Sequence, residues 1–152
     1  MSPTLRNILA LVAGLVIGGA VNMTLITISP SIVPPPPGVD VTDPESLSQN
    51  IHLFAPRHFI MPFLAHALGT LVGALVAFKL AATHKARWAW VVGGFFLAGG
   101  IMASALIPAP TWFIALDLIV AYLPMAWLAI RIGEGVGAGV GAGHARPNSG
   151  LR

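Results

Sequence analysis

The chain has 152 residues, of which 56% are hydrophobic and only 9% are charged. Soluble domains carry roughly 25% charged residues, so this composition excludes an ordinary water-soluble domain and indicates a membrane protein. The absence of cysteine excludes disulfides, thiol redox chemistry and cysteine-based metal sites. The net charge of +3 comes from basic residues at helix ends and in the tail, without the aromatic-interleaved basic patch that binds nucleic acid. We therefore expect no nucleic-acid partner.

Four apolar runs carry the fold prediction, at residues 5–28, 58–82, 88–106 and 111–132. Each is close to or longer than the ~20 residues that a helix needs to cross a bilayer. We predict an all-α membrane protein in which residues 1–132 form one domain, a four-transmembrane-helix antiparallel bundle. The first run also has the charged start and small-residue site of a signal peptide, but its apolar length favours an uncleaved helix.

The distribution of charge predicts the orientation. With four spans, the N-terminus, the 83–87 loop and the C-terminus share one side, and most basic residues flank that side: Arg6, Lys79, Lys85, Arg87 and Arg131. The other side holds Arg57 together with three acidic residues, Asp40, Asp43 and Glu45. By the positive-inside rule both termini are cytoplasmic. We expect a multi-pass protein of a bacterial inner (plasma) membrane.

Two segments lie outside the predicted spans. The external loop, residues 29–57, opens with "SPSIVPPPPGVD", whose prolines favour a stiff extended spacer; a partner-binding segment is the alternative. Thr42 and Glu45 have capping-box spacing, which predicts a short helix lying on the membrane surface. The Gly-rich residues 133–152 show no core-forming pattern and are predicted to be a disordered cytoplasmic tail.

Small residues four apart predict which helix faces pack, because close approach of backbones drives helix association in lipid. The six glycines on these faces are Gly14, Gly18, Gly69, Gly73, Gly93 and Gly100. Each face also carries polar residues, which therefore point toward other helices. Tyr122, which follows Asp117 on the last span, is added to these polar residues. The candidate intramembrane polar site is therefore His66, Asp117, Asn22, Thr70, Ser104 and Tyr122.

The depths of three of these residues coincide. His66 is about 12 Å and Asp117 about 9 Å below the outer start of its helix at ~1.5 Å per residue, and Asn22 falls in the same layer. Ionisable residues inside a membrane usually mark a functional site, and an Asp–His pair suits a proton relay or a metal site. A structural hydrogen-bonded tie, or no contact at all, are the alternatives. No cofactor is predicted, and a metal ion at His66 and Asp117 is a remote option.

The last helix, within "PAPTWFIALDLIVAYLPMAWLAIRIG", resembles the closing helix of small, uncharacterised four-span bacterial inner-membrane proteins. The resemblance is carried by a proline-containing turn and five further positions: Pro110, Trp112, Asp117, Tyr122, Pro124 and Ala126. The span pattern of the whole chain is similar as well. The resemblance implies a location and a topology and transfers no catalytic role.

Three functions remain open from the sequence. The favoured one is an accessory, assembly or interaction subunit of a membrane complex, because the chain is small and has a proline-rich external loop. The alternative is a small transporter or a proton- or metal-handling protein that uses His66 and Asp117. A membrane enzyme acting on a lipid or quinone ranks last, since no nucleophile–base arrangement is visible. The expected partners are the lipid bilayer and either other membrane subunits or further copies of the chain.

Overall fold

A computed structural model of the chain describes residues 1–142, with side chains for residues 1–135. Its elements in chain order are α1 (Pro3–Ile32), α2 (Pro44–Asn50), α3 (Ile60–Leu80), α4 (Lys85–Leu106), α5 (Thr111–Val120) and α6 (Leu123–Ala142), with short 3-10 turns at Ile51–Leu53 and Pro56–Phe59. Within the described residues no strand occurs. Four helical stretches are long and apolar enough to cross a membrane: Pro3–Ile32, Pro56–Leu80, Lys85–Leu106 and Thr111–Gly135. The all-helical fold and the four candidate spans are therefore confirmed.

Several helices are longer than the apolar runs, because polar residues at the ends of those runs cap the helix or are part of it. The Ser2 hydroxyl accepts a hydrogen bond from the Leu5 amide at 3.3 Å, and Pro3 occupies the first helical position, where its missing N–H costs nothing. α1 consequently begins two residues before the predicted span and continues to Ile32. α4 likewise begins at Lys85, three residues before the predicted start.

The predicted external helix is present as α2, but its cap differs from the expected one. The Asp43 carboxylate accepts from the amides of Glu45 and Ser46, which satisfies the free donors of the first turn. The Thr42 hydroxyl instead donates to Asp40 at 2.7 Å, and this bond, with one from the Thr42 amide, lowers the pKa of Asp40. The capping-box prediction at Thr42 was wrong because that side chain is already engaged upstream.

α3 is the central helix and packs against α1, α4 and α6. The α1–α3 contact is the closest, because glycines replace side chains on both helices: a methyl group built on Gly14 would lie 2.6 Å from the Gly73 carbonyl oxygen, and one on Gly18 would lie 2.6 Å from that of Gly69. On its other side α3 joins a core of small side chains with almost no exposed surface, Ala74, Ala77, Ala89, Ala126 and Ala129. Small residues therefore set the helix spacing throughout.

The predicted span at 111–132 consists of two helices. α5 ends at Val120 and α6 begins at Leu123, because Pro124 has no N–H to donate to the carbonyl four residues earlier and its ring clashes with that carbonyl. The flanking turns stay closed, since the Ala121 amide donates to the Asp117 carbonyl at 2.9 Å and the Ala126 amide to that of Tyr122 at 2.9 Å. The chain direction changes between Asp117 and Ala126.

α6 also continues past the predicted end of the span. Residues 133–142, expected to begin the disordered tail, are helical. The reason lies in α3: a methyl group on Gly133 would overlap the Phe78 ring, and the Lys79 ammonium group donates to the Gly133 carbonyl at 3.0 Å. These contacts hold the helix in register beyond residue 132. The remainder of the predicted tail, 143–152, lies outside the described residues.

The start of α1 is tied to the end of α3. The Asn7 side-chain oxygen accepts from the amides of Ala82 at 2.8 Å and Thr83 at 3.2 Å, and its nitrogen donates to the Thr83 hydroxyl at 2.9 Å. Arg6 donates through Nε to the Leu80 carbonyl at 2.9 Å. Asn7 is only 7% exposed. Its buried side-chain oxygen is the acceptor for the backbone amides of Ala82 and Thr83, which follow the end of α3.

Candidate functional site

Three polar side chains meet where α3 approaches the end of α5. The imidazole Nδ1 of His66 lies 2.9 Å from Oδ1 and 2.9 Å from Oδ2 of Asp117. The Tyr122 hydroxyl donates to Oδ2 of Asp117 at 2.9 Å. The structure thus brings together three of the six predicted site residues, with Asp117 at the centre and both of its carboxylate oxygens engaged. We call His66, Asp117 and Tyr122 the polar triad.

Burial makes the bonds within the polar triad strong. Asp117 and Tyr122 are 5% and 2% exposed, whereas the His66 side chain retains 23% of its surface. A carboxyl group in an apolar interior is costly unless it is paired and hydrogen-bonded, and here it has two partners. Asp117 holds the imidazole in one orientation, and the exposed part of the site belongs to His66.

The helix break sets the position of Tyr122. Tyr122 falls in the two-residue gap between α5 and α6, so its hydroxyl can turn back toward Asp117, five positions earlier. A methyl group on Gly100 would overlap the Tyr122 phenol; only glycine at that position leaves room for the ring. The ring also stacks on His66, with centroids 5.7 Å apart and planes at 28°.

Two members of the polar triad, His66 and Asp117, line a cavity of about 350 Å³. Its walls are mainly apolar, with Ile26, Phe59, Pro62, Ala103, Ile107, Phe113, Ile114 and Leu118 among them. His66, Asp117 and the Ser104 hydroxyl are polar groups in this lining. A mainly apolar cavity with a few convergent polar groups is the usual form of a small-molecule site.

The external loop covers this cavity. Val41, Pro44, Leu47, Ile51 and Phe54 all line it, so the apolar face of α2 turns toward the cavity. The sequence predicted a helix resting on the membrane surface. The described structure shows that the apolar face of this helix lines the same cavity as His66 and Asp117.

The other three predicted polar residues lie apart from the triad. Asn22 is next to Gly69, where a methyl group on the glycine would lie 3.0 Å from the Asn22 Cβ; no hydrogen bond joins Asn22 to His66 or Asp117. Thr70 is 1% exposed, and its hydroxyl has no partner within the described part of the chain. Ser104 donates to the Ile101 carbonyl at 2.8 Å.

The six predicted packing glycines divide into two groups. Gly14, Gly18, Gly69 and Gly73 all lie in the α1–α3 contact. Gly93 faces Ala126 of α6, and Gly100 faces Tyr122. The contact between Gly100 and Tyr122 links helix packing to the polar triad. The Tyr122 phenol, which hydrogen-bonds to Asp117, fills the space that Gly100 leaves open.

The role of His58 could not be predicted from the sequence. His58 is 8% exposed and lines the cavity. Its Nδ1 accepts from the Ala55 amide at 2.9 Å, and its Nε2 lies 3.2 Å from the Pro34 carbonyl oxygen. His58 therefore ties the proline run to the start of the second span. This contact joins residues 24 positions apart, and no local sequence pattern marks it.

The side chains available as ligands test the prediction of a metal ion at His66 and Asp117. Across residues 1–135, for which side chains are described, no three His, Cys, Asp or Glu residues come close enough to share a metal ion. His66 and Asp117 alone provide two ligands, and protein metal sites generally use three or more. In the described structure the two side chains hydrogen-bond directly to each other.

The comparisons with known proteins add no assignment. No protein-family model, no curated protein and no solved structure matches this chain. Any function must therefore be argued from the polar triad and the cavity that it borders.

Proposed function

We propose that this protein is a small multi-pass membrane protein that binds an apolar small molecule in the cavity and presents the His66 imidazole to it as a proton-handling group. In this proposal Asp117 and Tyr122 are positioning residues: they orient the imidazole and do not contact the ligand's reactive end. The proposal develops the transport and proton-handling hypothesis.

The observation that carries the proposal is the position of the Asp117–His66 hydrogen bond at the border of a 350 Å³ cavity. A polar contact that only fixed helix register would not need an adjoining space. The exposure of His66 and the burial of Asp117 agree with these roles, since the group that meets a ligand must be accessible and the group that orients it need not be.

The triad geometry also suits proton handling. Histidine is the side chain that most readily gains or loses a proton near neutral pH, and a carboxylate on one ring nitrogen fixes which nitrogen remains for other partners. The hydroxyl of Tyr122 stabilises the same carboxylate. This division of roles resembles other hydrogen-bonded His–Asp pairs, in which the carboxylate orients the ring and stabilises its charged form.

The orientation and location belong to the proposal as well. We propose an antiparallel four-helix bundle in a bacterial inner membrane with both termini cytoplasmic, because Arg6, Lys79, Lys85, Arg87 and Arg131 flank that side. The cavity and α2 would then face the periplasm or the exterior. A ligand would enter from the outer half of the bilayer or from the space beyond it.

The accessory-subunit hypothesis stays a prediction. Its support is the external proline run, in which Pro34 and Pro37 are exposed while Pro35 and Pro36 are partly buried. A subunit of a larger complex that also binds a small molecule is compatible with both proposals, and purification without detectable partners would argue against the accessory role alone.

The experiment is a ligand-stability screen with a cavity-filling variant. Purified protein is heated with a panel of quinones, aromatic ketones, phenols, fatty acids and alkylamines, and the unfolding temperature is recorded. Ala103→Trp places a large ring in the cavity lining. Met102→Trp is the matched control, because Met102 is 67% exposed and lies outside that lining.

We expect at least one class to stabilise the wild type and Met102→Trp but not Ala103→Trp. At a ligand concentration of 100 Kd the stabilisation is about 2.7 kcal/mol, which is readily measured. Stabilisation of all three proteins alike would show binding elsewhere, and no stabilisation by any class would refute the proposal.

A further inference from the structure

The two ends of the external loop are held next to each other by one buried side chain. The Pro34 carbonyl oxygen lies 3.2 Å from Nε2 of His58, and the Ala55 amide nitrogen lies 2.9 Å from Nδ1 of the same ring. His58 is 8% exposed and belongs to the start of the second candidate span. The loop is therefore anchored to the bundle at both of its ends. We call its middle part, residues 40–53, the α2 segment.

The α2 segment is hydrogen-bonded to itself. The Asp40 amide donates to the Ser46 hydroxyl at 3.1 Å, and the Asn50 side chain donates to the Ser46 carbonyl at 2.8 Å. The Asp43 carboxylate accepts from two amides of the first turn of α2. Among the described residues, no hydrogen bond or ion pair joins the α2 segment to a transmembrane helix. The segment can therefore move as one body without breaking such a bond.

The inner face of the α2 segment is apolar and only partly covered. Its side chains are three or four positions apart, which places them on one side of a helical segment, and all of them line the cavity: Val41, Pro44, Leu47 and Ile51. No residue of α2 is buried. Segments with few buried apolar contacts open at a low cost in free energy, and ligand-binding lids belong to this class. This wall of the cavity is therefore held by contacts that separate easily.

Gly38 provides a hinge before the α2 segment. Its φ is +83°, a conformation that glycine adopts without steric cost, and a methyl group built there would meet nothing within 4 Å. The glycine therefore serves the backbone conformation and not close packing. The prolines at 34–37 have φ fixed by their rings, so rotation is concentrated after them. The Val39 amide donates across the hinge to the Pro36 carbonyl at 3.2 Å, and water can replace this bond in an outer loop.

Phe54 provides a second hinge after the α2 segment. Its backbone is extended, with φ −79° and ψ 122°. Its amide donates to the Ile51 carbonyl at 3.1 Å, whereas its ring packs against His58 and Phe59 of the anchored turn, with centroids 5.3 Å and 6.2 Å away. Rotation about φ of Phe54 moves the segment and leaves the ring in place. Hinges are commonly a few loop residues of this kind.

Resting on the function proposed above, we propose that residues 40–53 form a lid, which swings on Gly38 and Phe54 to admit an apolar small molecule to the cavity and then packs its apolar face against that molecule. Four residues of the cavity lining belong to the lid, so its displacement opens the cavity on that side. A ligand that contacts these side chains binds the closed form more tightly and shifts the population toward it. Lid opening then limits the rates of ligand entry and release.

The test measures access to the cavity in this cysteine-free chain. Ser104→Cys places one thiol in the cavity lining. The full chain in lipid nanodiscs is treated with a charged, water-soluble reagent, 2-sulfonatoethyl methanethiosulfonate, and the reaction rate is recorded. Gly38→Val is then added, because valine disfavours the left-handed backbone of the closed lid and favours its opening. We expect the thiol at position 104 to react about tenfold faster in this background.

Two controls separate lid opening from other effects. Gly38→Asn adds a side chain in the same open space, but asparagine tolerates left-handed backbone, so the rate at Ser104→Cys should stay close to that with the native hinge. Gln49→Cys lies on the exposed face of α2 and reports the reactivity of a thiol outside the cavity. Its rate should be the same with glycine, asparagine or valine at position 38.

A second measurement follows the lid itself. Nitroxide labels on Gln49→Cys and Thr111→Cys, both exposed positions, mark the lid and the start of α5, and pulsed electron paramagnetic resonance gives the distance between them. We expect Gly38→Val to populate a second distance more strongly than Gly38→Asn does. This measurement does not use Ser104, so a folding defect of Ser104→Cys leaves the lid open to test.

The contrary outcomes separate the lid from the ligand site. Equal rates at Ser104→Cys in the valine and asparagine backgrounds, or an unchanged label distance, would reject the lid, while stabilisation by a ligand class in the screen above would leave the cavity site standing. Faster reaction at Gln49→Cys as well would show a general loosening of the loop and would also reject the lid. If no ligand class stabilises the protein, the proposed function is refuted, and the lid has no ligand to admit.

Discussion

Replacing Gly18 by alanine adds one methyl group between α1 and α3. That carbon would lie 2.6 Å from the Gly69 carbonyl oxygen, 3.0 Å from the Gly73 Cα and 3.0 Å from the Phe96 ring. Close carbon–oxygen contacts between helices have separations of about 3.3–3.6 Å, so the two backbones must separate by roughly 0.7 Å or more. Two of the three neighbours are backbone atoms, and no rotamer change can move them aside.

The separation weakens the rest of the interface. A radial gap of ~0.5–1 Å forfeits a quarter to a half of each dispersion contact, and overpacking typically costs about 1–3 kcal/mol. Gly19 is the internal control, because a methyl group there meets nothing within 4 Å. Both substitutions gain the helix propensity of alanine over glycine, about 1 kcal/mol, so their difference isolates packing. We expect Gly18→Ala to be less stable than Gly19→Ala by about 1–3 kcal/mol.

The assay is reversible unfolding in mixed micelles with a rising mole fraction of dodecyl sulfate, followed by the fluorescence of the four tryptophans. Both variants are compared with the wild type at equal protein and lipid concentration. Equal stability of the two variants, or a more stable Gly18→Ala, would show that α1 and α3 are not in backbone contact at this position and would refute the packing argument.

Three further predictions concern the triad, the α1–α3 tie and the orientation. Tyr122→Phe removes the hydroxyl bond to Asp117 and should destabilise the protein by about 1–3 kcal/mol in the same unfolding assay; an unchanged midpoint would mean that the bond contributes nothing net. Asn7→Leu removes three hydrogen bonds to the α3–α4 loop and should raise hydrogen exchange at the end of α3, whereas unaltered exchange would show that water replaces the side chain. In this cysteine-free chain, Gln49→Cys should react with a membrane-impermeant maleimide on intact spheroplasts and Lys85→Cys only after permeabilisation; the reverse pattern would invert the proposed orientation.

The helices were predictable because apolar length is a local property of the sequence. That His66 and Asp117 lie in one layer was expected from two local quantities, the depth of each residue at a fixed rise per residue and its position on a small-residue face, but whether the two side chains touch was left open. Asn22 shows the limit of that reasoning. It has the matching depth, but the α1–α3 contact places it beside Gly69, and its side chain does not bond to His66 or Asp117.

The features that the sequence analysis missed depend on distant pairings. His58 reaches the Pro34 carbonyl across 24 positions, and Asn7 reaches Thr83 across 76; neither partner is indicated by spacing or periodicity. The cavity depends on the path of the external loop, which brings the apolar face of α2 over the helix ends. Such a path follows from the whole arrangement of helices and not from any one segment.

The bond between Asn7 and the α3–α4 loop also has a consequence for synthesis. The two partners are 76 positions apart, and ribosomes add about 5–20 residues per second, so α1 exists for roughly 4–15 s before its anchor has been made. The surface containing Gly14 and Gly18 is uncovered until Gly69 and Gly73 of α3 have been made. The insertion of α1 therefore precedes by seconds the packing that covers its glycine surface in the finished fold.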